Sequence, residues 1–157
     1  MQKGERWLWL LVIGLTVLLL IVAAAKYRHM DGIAELKLEP KVDCDLHRMA
    51  CTDTKAGVGE VTLEISPRPI QVITPLELQV RTTMPGVKSV AVEFTGVDMD
   101  MGFNRFVLEK LSPQQYAGKA MLPVCVRSRM TWQAVVLLDT GERIVAAPYQ
   151  FDTTARH

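Results

Sequence analysis

The sequence predicts an all-β domain preceded by one transmembrane helix. Three observations support this: an uncharged apolar run near the N-terminus, a later series of short segments with alternating apolar residues, and turn residues between those segments. Of the 157 residues, those after the apolar run suffice for one compact domain with a modest core. A second domain is not expected.

The apolar run, residues 7–25, carries no charged side chain. A helix rises about 1.5 Å per residue, so this run is roughly as long as the hydrocarbon core of a bilayer. Trp7 and Trp9 at one end suit the headgroup zone. A cleaved signal peptide is the alternative, because residues 23–25 are all alanine. The run exceeds the usual signal core of about 7–15 residues, which favours an uncleaved anchor.

The orientation of the helix does not follow from charge, since basic residues flank both ends almost equally. Cys44 and Cys51 lie close together in a polar segment, as in a small disulfide loop formed in an oxidising compartment. This favours residues 1–6 in the cytoplasm and the chain from residue 26 onward outside it.

Residues 26–59 lack sustained periodicity and contain Pro40, Gly57 and Gly59, which predicts a stalk or linker. Apolar residues then alternate within 60–152, and 153–157 form a short tail. The alternation predicts seven strands, centred on 61–65, 76–80, 90–94, 106–111, 116–122, 132–138 and 144–151. Seven short strands separated by turn residues predict an immunoglobulin-like β-sandwich, with a small barrel as the alternative.

The loop after the third predicted strand carries two methionines, Met99 and Met101, between glycines. Methionine has little turn propensity, and soft thioethers select Cu(I) over harder ions. The competing interpretation is that one methionine caps the core and the other is incidental.

A second loop carries Cys125 and, five residues later, Met130. A free cysteine is often only a small buried hydrophobe. Successive antiparallel strands reverse direction, which brings this loop to the same end of the sandwich as the Met99 loop. The four sulfur atoms are therefore predicted to form one Cu(I) site, at the end opposite the stalk and facing away from the bilayer. Arg127 and Arg129 would favour the thiolate, although a solvated loop is their commoner role.

The segment from Cys44 to Cys51 also contains His47 and Met49, so two cysteines, a histidine and a methionine could surround a metal ion. The spacing matches no usual zinc arrangement, and an oxidising compartment favours a disulfide, which is the preferred interpretation. Cys125 is then the unpaired cysteine.

Nucleic-acid binding is not expected, because the net charge is only +1. Catalysis is not expected either. The three histidines, His29, His47 and His157, lie in the juxtamembrane stretch, the stalk and the tail, so none can complete a catalytic triad on the sandwich.

Four blocks of the sequence, CDLHRMAC, ISPRPI, GVDMDMGFNR and LPVCVRSRMTW, resemble a group of proteobacterial membrane-anchored periplasmic proteins. Their MDMG and LPVCxxxxM motifs are the most specific part of the likeness. Members occur beside Sco-type copper chaperones and other cytochrome oxidase assembly factors, and a more distant similarity extends to FixH-like and YtkA-like proteins. The resemblance implies copper delivery or oxidase maturation at the bacterial inner membrane.

The leading hypothesis is a single-pass membrane protein whose periplasmic domain binds Cu(I) through Met99, Met101, Cys125 and Met130. It would pass the ion by ligand exchange to a respiratory-complex subunit or to another copper chaperone. The alternative is a metal-free assembly or scaffold protein that binds partners through its sandwich. A thiol redox role for Cys125 ranks last, because no resolving cysteine lies nearby.

Overall fold

The computed structural model describes residues 3–30, 34–40, 43–55, 57–99, 102, 104–123 and 129–154. The chain divides into two compact units, Met1–Ala34 and Glu35–His157.

The first unit contains one helix, α1 (Lys3–Met30). Its sequence is rich in leucine and alanine and free of proline, which favours helix formation. The large apolar side chains described between Trp7 and Val22 are all between 49% and 69% exposed. In the part of the chain that the structure describes, no helix combines the length and apolar character needed to cross a membrane. The predicted transmembrane helix over 7–25 is therefore not confirmed, although the segment is helical.

The second unit is built from antiparallel strands. Their bounds are β1 (Ala34–Lys37), β2 (Cys51–Lys55), β3 (Gly59–Ser66), β4 (Leu76–Thr82), β5 (Ser89–Gly96), β6 (Arg105–Ser112), β7 (Gln115–Ala120), β8 (Arg129–Asp139) and β9 (Arg143–Thr154). The strand order is β1-β9-β8-β5-β6-β7-β4-β3-β2. Strand β6 links the two halves of the sheet, because 105–108 pair with β5 whereas 109–112 pair with β7. The register shifts between Lys110 and Ser112.

The core lies between the two halves of this sheet. Inward-facing residues alternate along the strands, as in Met130, Trp132, Ala134, Val136 and Leu138 of β8, all of which are buried. Among the described residues, no buried side-chain nitrogen or oxygen lacks a hydrogen-bond partner. The all-β prediction is confirmed, and each of the seven predicted strands is present, as β3 to β9.

The predicted stalk is wrong for most of its length. Strand β2 pairs with β3 from Cys51 to Lys55, which gives eight strands with described ladder pairings instead of seven, and β1 adds a short edge strand. Leu38, Leu46 and Val58 are buried in the core. These residues were missed because isolated apolar side chains in a polar segment show no periodicity.

The predicted tail begins two residues too early. Strand β9 continues to Thr154, and Thr153 is buried, where its hydroxyl accepts a 2.9 Å hydrogen bond from Nε1 of Trp132. Residues 155–157 lie outside the described part of the chain.

Candidate functional site

One end of the domain, called the upper end here, gathers the segments that the sequence singled out. Gly96 at the end of β5 pairs with Trp132 near the start of β8, and Trp132 pairs with Phe151 near the end of β9. Because the pairings among β2 to β9 are antiparallel, the end of β3 and the start of β2 share this end with the loops that follow β5 and β7.

The loop after β5 and the start of β8 are in direct contact at the upper end. The backbone N–H of Val97 donates to the carbonyl oxygen of Thr131 over 3.0 Å. This bond lies two residues before Met99 and one residue after Met130. The structure thus holds the backbone near Met99 close to the backbone near Met130. These are the two described methionines of the predicted sulfur site.

Both of these methionines contribute to the core. Met130 is only 3% exposed and faces inward from β8, while Met99 is partly buried and packs against the core cluster. The expectation that Met130 ends a loop is wrong, since β8 begins at Arg129. The sulfur of a methionine that packs against the core can bind an ion only on the core side of the loops.

The other two predicted ligands, Met101 and Cys125, lie outside the described residues. Their place relative to Met99 and Met130 stays a prediction. Arg127, proposed to favour the thiolate, lies in the same undescribed segment.

The predicted disulfide between Cys44 and Cys51 is confirmed. Cys51 is buried at the start of β2, whereas Cys44 is partly buried. We refer to residues 44–51 as the disulfide loop. The loop was expected at the opposite end of the sandwich from the sulfur site. It lies at the upper end instead, because the preceding chain packs along β9, where Leu38 N–H donates to the Ala146 carbonyl oxygen.

His47 attaches the disulfide loop to two separate parts of the domain. Its Nδ1 accepts a hydrogen bond of 3.1 Å from the backbone N–H of Ile70, in the connection between β3 and β4. Its Nε2 lies 2.6 Å from the carbonyl oxygen of Asp152 on β9. The ring also meets Phe151 edge to face, with centroids 6.0 Å apart. Since both ring nitrogens are engaged, His47 is not free to bind a metal as arranged.

A cavity of about 390 Å³ opens beside this histidine. The residues that line it include Asp43, Cys44, Asp45, Thr131 and Asp152. The main-chain N–H of His47 donates to Oδ1 of Asp45 over 2.9 Å, which fixes the turn of the loop.

Asp152 and Arg129 form an ion pair at the rim of the upper end. The hydrogen bond from Arg129, followed by one from Thr131, lowers the pKa of the Asp152 carboxyl group below its usual value. The same hydrogen bond raises the pKa of Arg129. Because the Arg129 side chain is open to water, solvent screens the pair and it contributes little to stability.

Within the described ranges, no group of three or more histidine, cysteine, aspartate or glutamate side chains is arranged to hold a metal ion. The described sulfur donors at the upper end are thioethers and the disulfide. A donor set of thioethers with one thiolate would suit Cu(I).

His47 and Phe151 are the site residues whose role the sequence did not indicate. His47 lies in the predicted stalk, and its hydrogen-bond partner on β9 is 105 residues away. The position of Met130, in contrast, could have been predicted. The alternation through Trp132, Ala134, Val136 and Leu138 extends back to Met130 without a break.

No family model matches the chain, and neither a curated protein nor a solved structure matches it.

Proposed function

We propose that this protein is a membrane-anchored periplasmic copper-binding protein. It would bind Cu(I) through Met99, Met101, Cys125 and Met130 and deliver the ion to a respiratory-complex subunit or another copper chaperone. The delivery step is ligand exchange, in which an incoming thiol or thioether binds the ion before the last ligand of this chain leaves.

One observation carries the proposal: the hydrogen bond from Val97 N–H to the Thr131 carbonyl oxygen. It holds the chain close to Met99 against the chain close to Met130. Leu122 is buried below the same end, and the segment that contains Cys125 follows it within three residues. A thiolate together with thioethers is a donor set that favours Cu(I).

The domain that presents this site is proposed to be an immunoglobulin-like sandwich. The passage of β6 from a pairing with β5 to a pairing with β7 supports two sheets joined by one strand. The proposed anchor is α1, whose exposed apolar side chains would be covered by lipid.

The test is a titration of the full chain, in a mild detergent and under reducing conditions, with Cu(I) against a competing chelator. We expect one ion per chain. Cys125→Ser should abolish binding, and Met99→Leu and Met130→Leu should weaken it, because leucine keeps the volume but removes the sulfur.

Met84→Leu is the matched control. Met84 is also buried in the core, but it follows β4 and therefore lies at the end opposite the site. Affinity should be unchanged in this variant. Absence of Cu(I) binding in the parent chain would end the copper proposal.

A metal-free scaffold is the second candidate, and exposed apolar side chains at the upper end favour it. Met49, Ile73, Val97 and Met121 are all exposed there. Ile73 is also a β-branched residue with φ of 55°, a backbone conformation that costs energy and is often retained at functional positions. The test uses cells whose protein carries Ile73→Ser or Met121→Ser. The scaffold is favoured if these cells fail to assemble the oxidase while the Cu(I) affinity of the protein is unchanged.

A further inference from the structure

We propose that His47 is a pH-sensitive latch, which holds the disulfide loop against the connection between β3 and β4 and opens on that side when the ring is protonated. The proposal does not depend on copper binding. It rests on the two hydrogen bonds of the ring and on the charges around it.

The two hydrogen bonds require a neutral ring with its proton on Nε2. Nδ1 accepts the N–H of Ile70, so it carries no proton, and Nε2 can then donate to the Asp152 carbonyl oxygen. In the protonated ring both nitrogens are donors. Protonation therefore leaves the hydrogen bond from Nε2 to the Asp152 carbonyl oxygen intact. At Nδ1 it places the N–H group of the ring against the N–H group of Ile70, and two donors cannot bond to each other.

Charged groups of both signs lie around this ring. The charged groups around it are Asp43, Asp45 and Arg48 from its own segment, Asp152 from β9, Arg129 from β8, and Arg68 from the connection after β3. The three arginines are paired with Asp45, Asp152 and Glu64. Asp43, Asp45 and Asp152 line the same cavity as His47, and Asp45 and Asp152 are already paired with arginines. The Ile70 hydrogen bond cannot accommodate a proton on Nδ1.

Opening at Ile70 would act on the neighbouring loop. Ile70 is buried, so its N–H cannot simply turn to water, and the connection must move to satisfy it. Three residues later, Ile73 N–H donates to the Leu122 carbonyl oxygen over 2.9 Å. The segment that His47 holds therefore also supports the chain leading to Cys125.

The experiment measures amide hydrogen exchange of Ile70 in the full chain in detergent, with His29→Gln and His157→Gln so that His47 is the only histidine. Histidine changes its charge between about pH 5 and 8, so exchange is compared at about pH 7.5 and about pH 5. After correction for the intrinsic pH dependence, we expect protection of Ile70 to fall about tenfold or more. Side-chain ¹⁵N spectra report the protonation state of His47 in the same samples.

Two variants separate the latch from a merely structural histidine. His47→Asn keeps an acceptor near the Nδ1 position but does not titrate, so Ile70 protection should no longer depend on pH. His47→Gln keeps a donor near the Nε2 position and loses that acceptor, so protection should be low at both pH values. The proposal is overturned if His47 stays neutral at about pH 5, or if it is protonated while Ile70 protection in the parent chain is unchanged.

Discussion

The hydroxyl group of Tyr149 on β9 donates a 2.6 Å hydrogen bond to the backbone carbonyl oxygen of Val61 on β3. Strands β9 and β3 stand near opposite ends of the strand order, and both residues are buried. The bond therefore crosses the core and ties one half of the sheet to the other.

Replacing Tyr149 by phenylalanine should destabilise the domain by about 1–2 kcal/mol, because the Val61 carbonyl oxygen loses a buried donor. Denaturant unfolding followed by circular dichroism measures this. Tyr116→Phe is the matched control: its buried hydroxyl donates to the Val87 carbonyl oxygen over a longer distance of 3.3 Å. We expect Tyr116→Phe to lose less stability than Tyr149→Phe. A larger loss of stability in Tyr116→Phe would contradict the assignment.

The same tyrosine predicts a loss of stability in alkali. Burial raises the pKa of Tyr149, and the charge of Asp53 raises it further. A raised folded-state pKa contributes stability that is complete below the unfolded-state value of about 10 and is lost as the pH rises above it. Unfolding free energies measured at about pH 9 and about pH 11 should fall more steeply for the parent chain than for Tyr149→Phe. If the unfolding free energy falls equally in both chains, Tyr149 is excluded as the cause.

The buried hydrogen bond from Trp132 to Thr153 predicts a second core variant. Thr153→Val keeps the shape of the side chain but leaves the indole N–H without its acceptor, at a cost of about 1–3 kcal/mol. Thr154→Val, one residue later and exposed, should change stability by less than about 0.5 kcal/mol. Thermal unfolding of both variants tests the difference, and equal melting temperatures would argue against the bond.

The disulfide predicts both a thiol count and a stability change. The denatured chain should show one reactive thiol before reduction and three after it, since the sequence has three cysteines. Cys44→Ser with Cys51→Ser should cost about 2–3 kcal/mol, the value expected for a loop of this length. Three reactive thiols in the unreduced chain would contradict the bond.

Strands β3, β4, β5 and β8 could be predicted because alternate residues are buried along each of them, which gives the sequence a period of two. Strand β2 could not, since only Cys51 of its five residues is buried and the remainder are polar. An edge strand of this kind is identified by its partner, β3, and not by its own pattern.

The candidate site was also predicted only in part from the sequence. The sequence alone identified Cys44 and Cys51 as a pair and placed the loops around Met99 and Met130 at one end, because both follow from local spacing and from the reversal of successive strands. Only the tertiary structure decided that the disulfide loop sits at that same end. The reason is the hydrogen bonding of His47, whose partners lie 23 and 105 residues along the chain and leave no trace in local sequence.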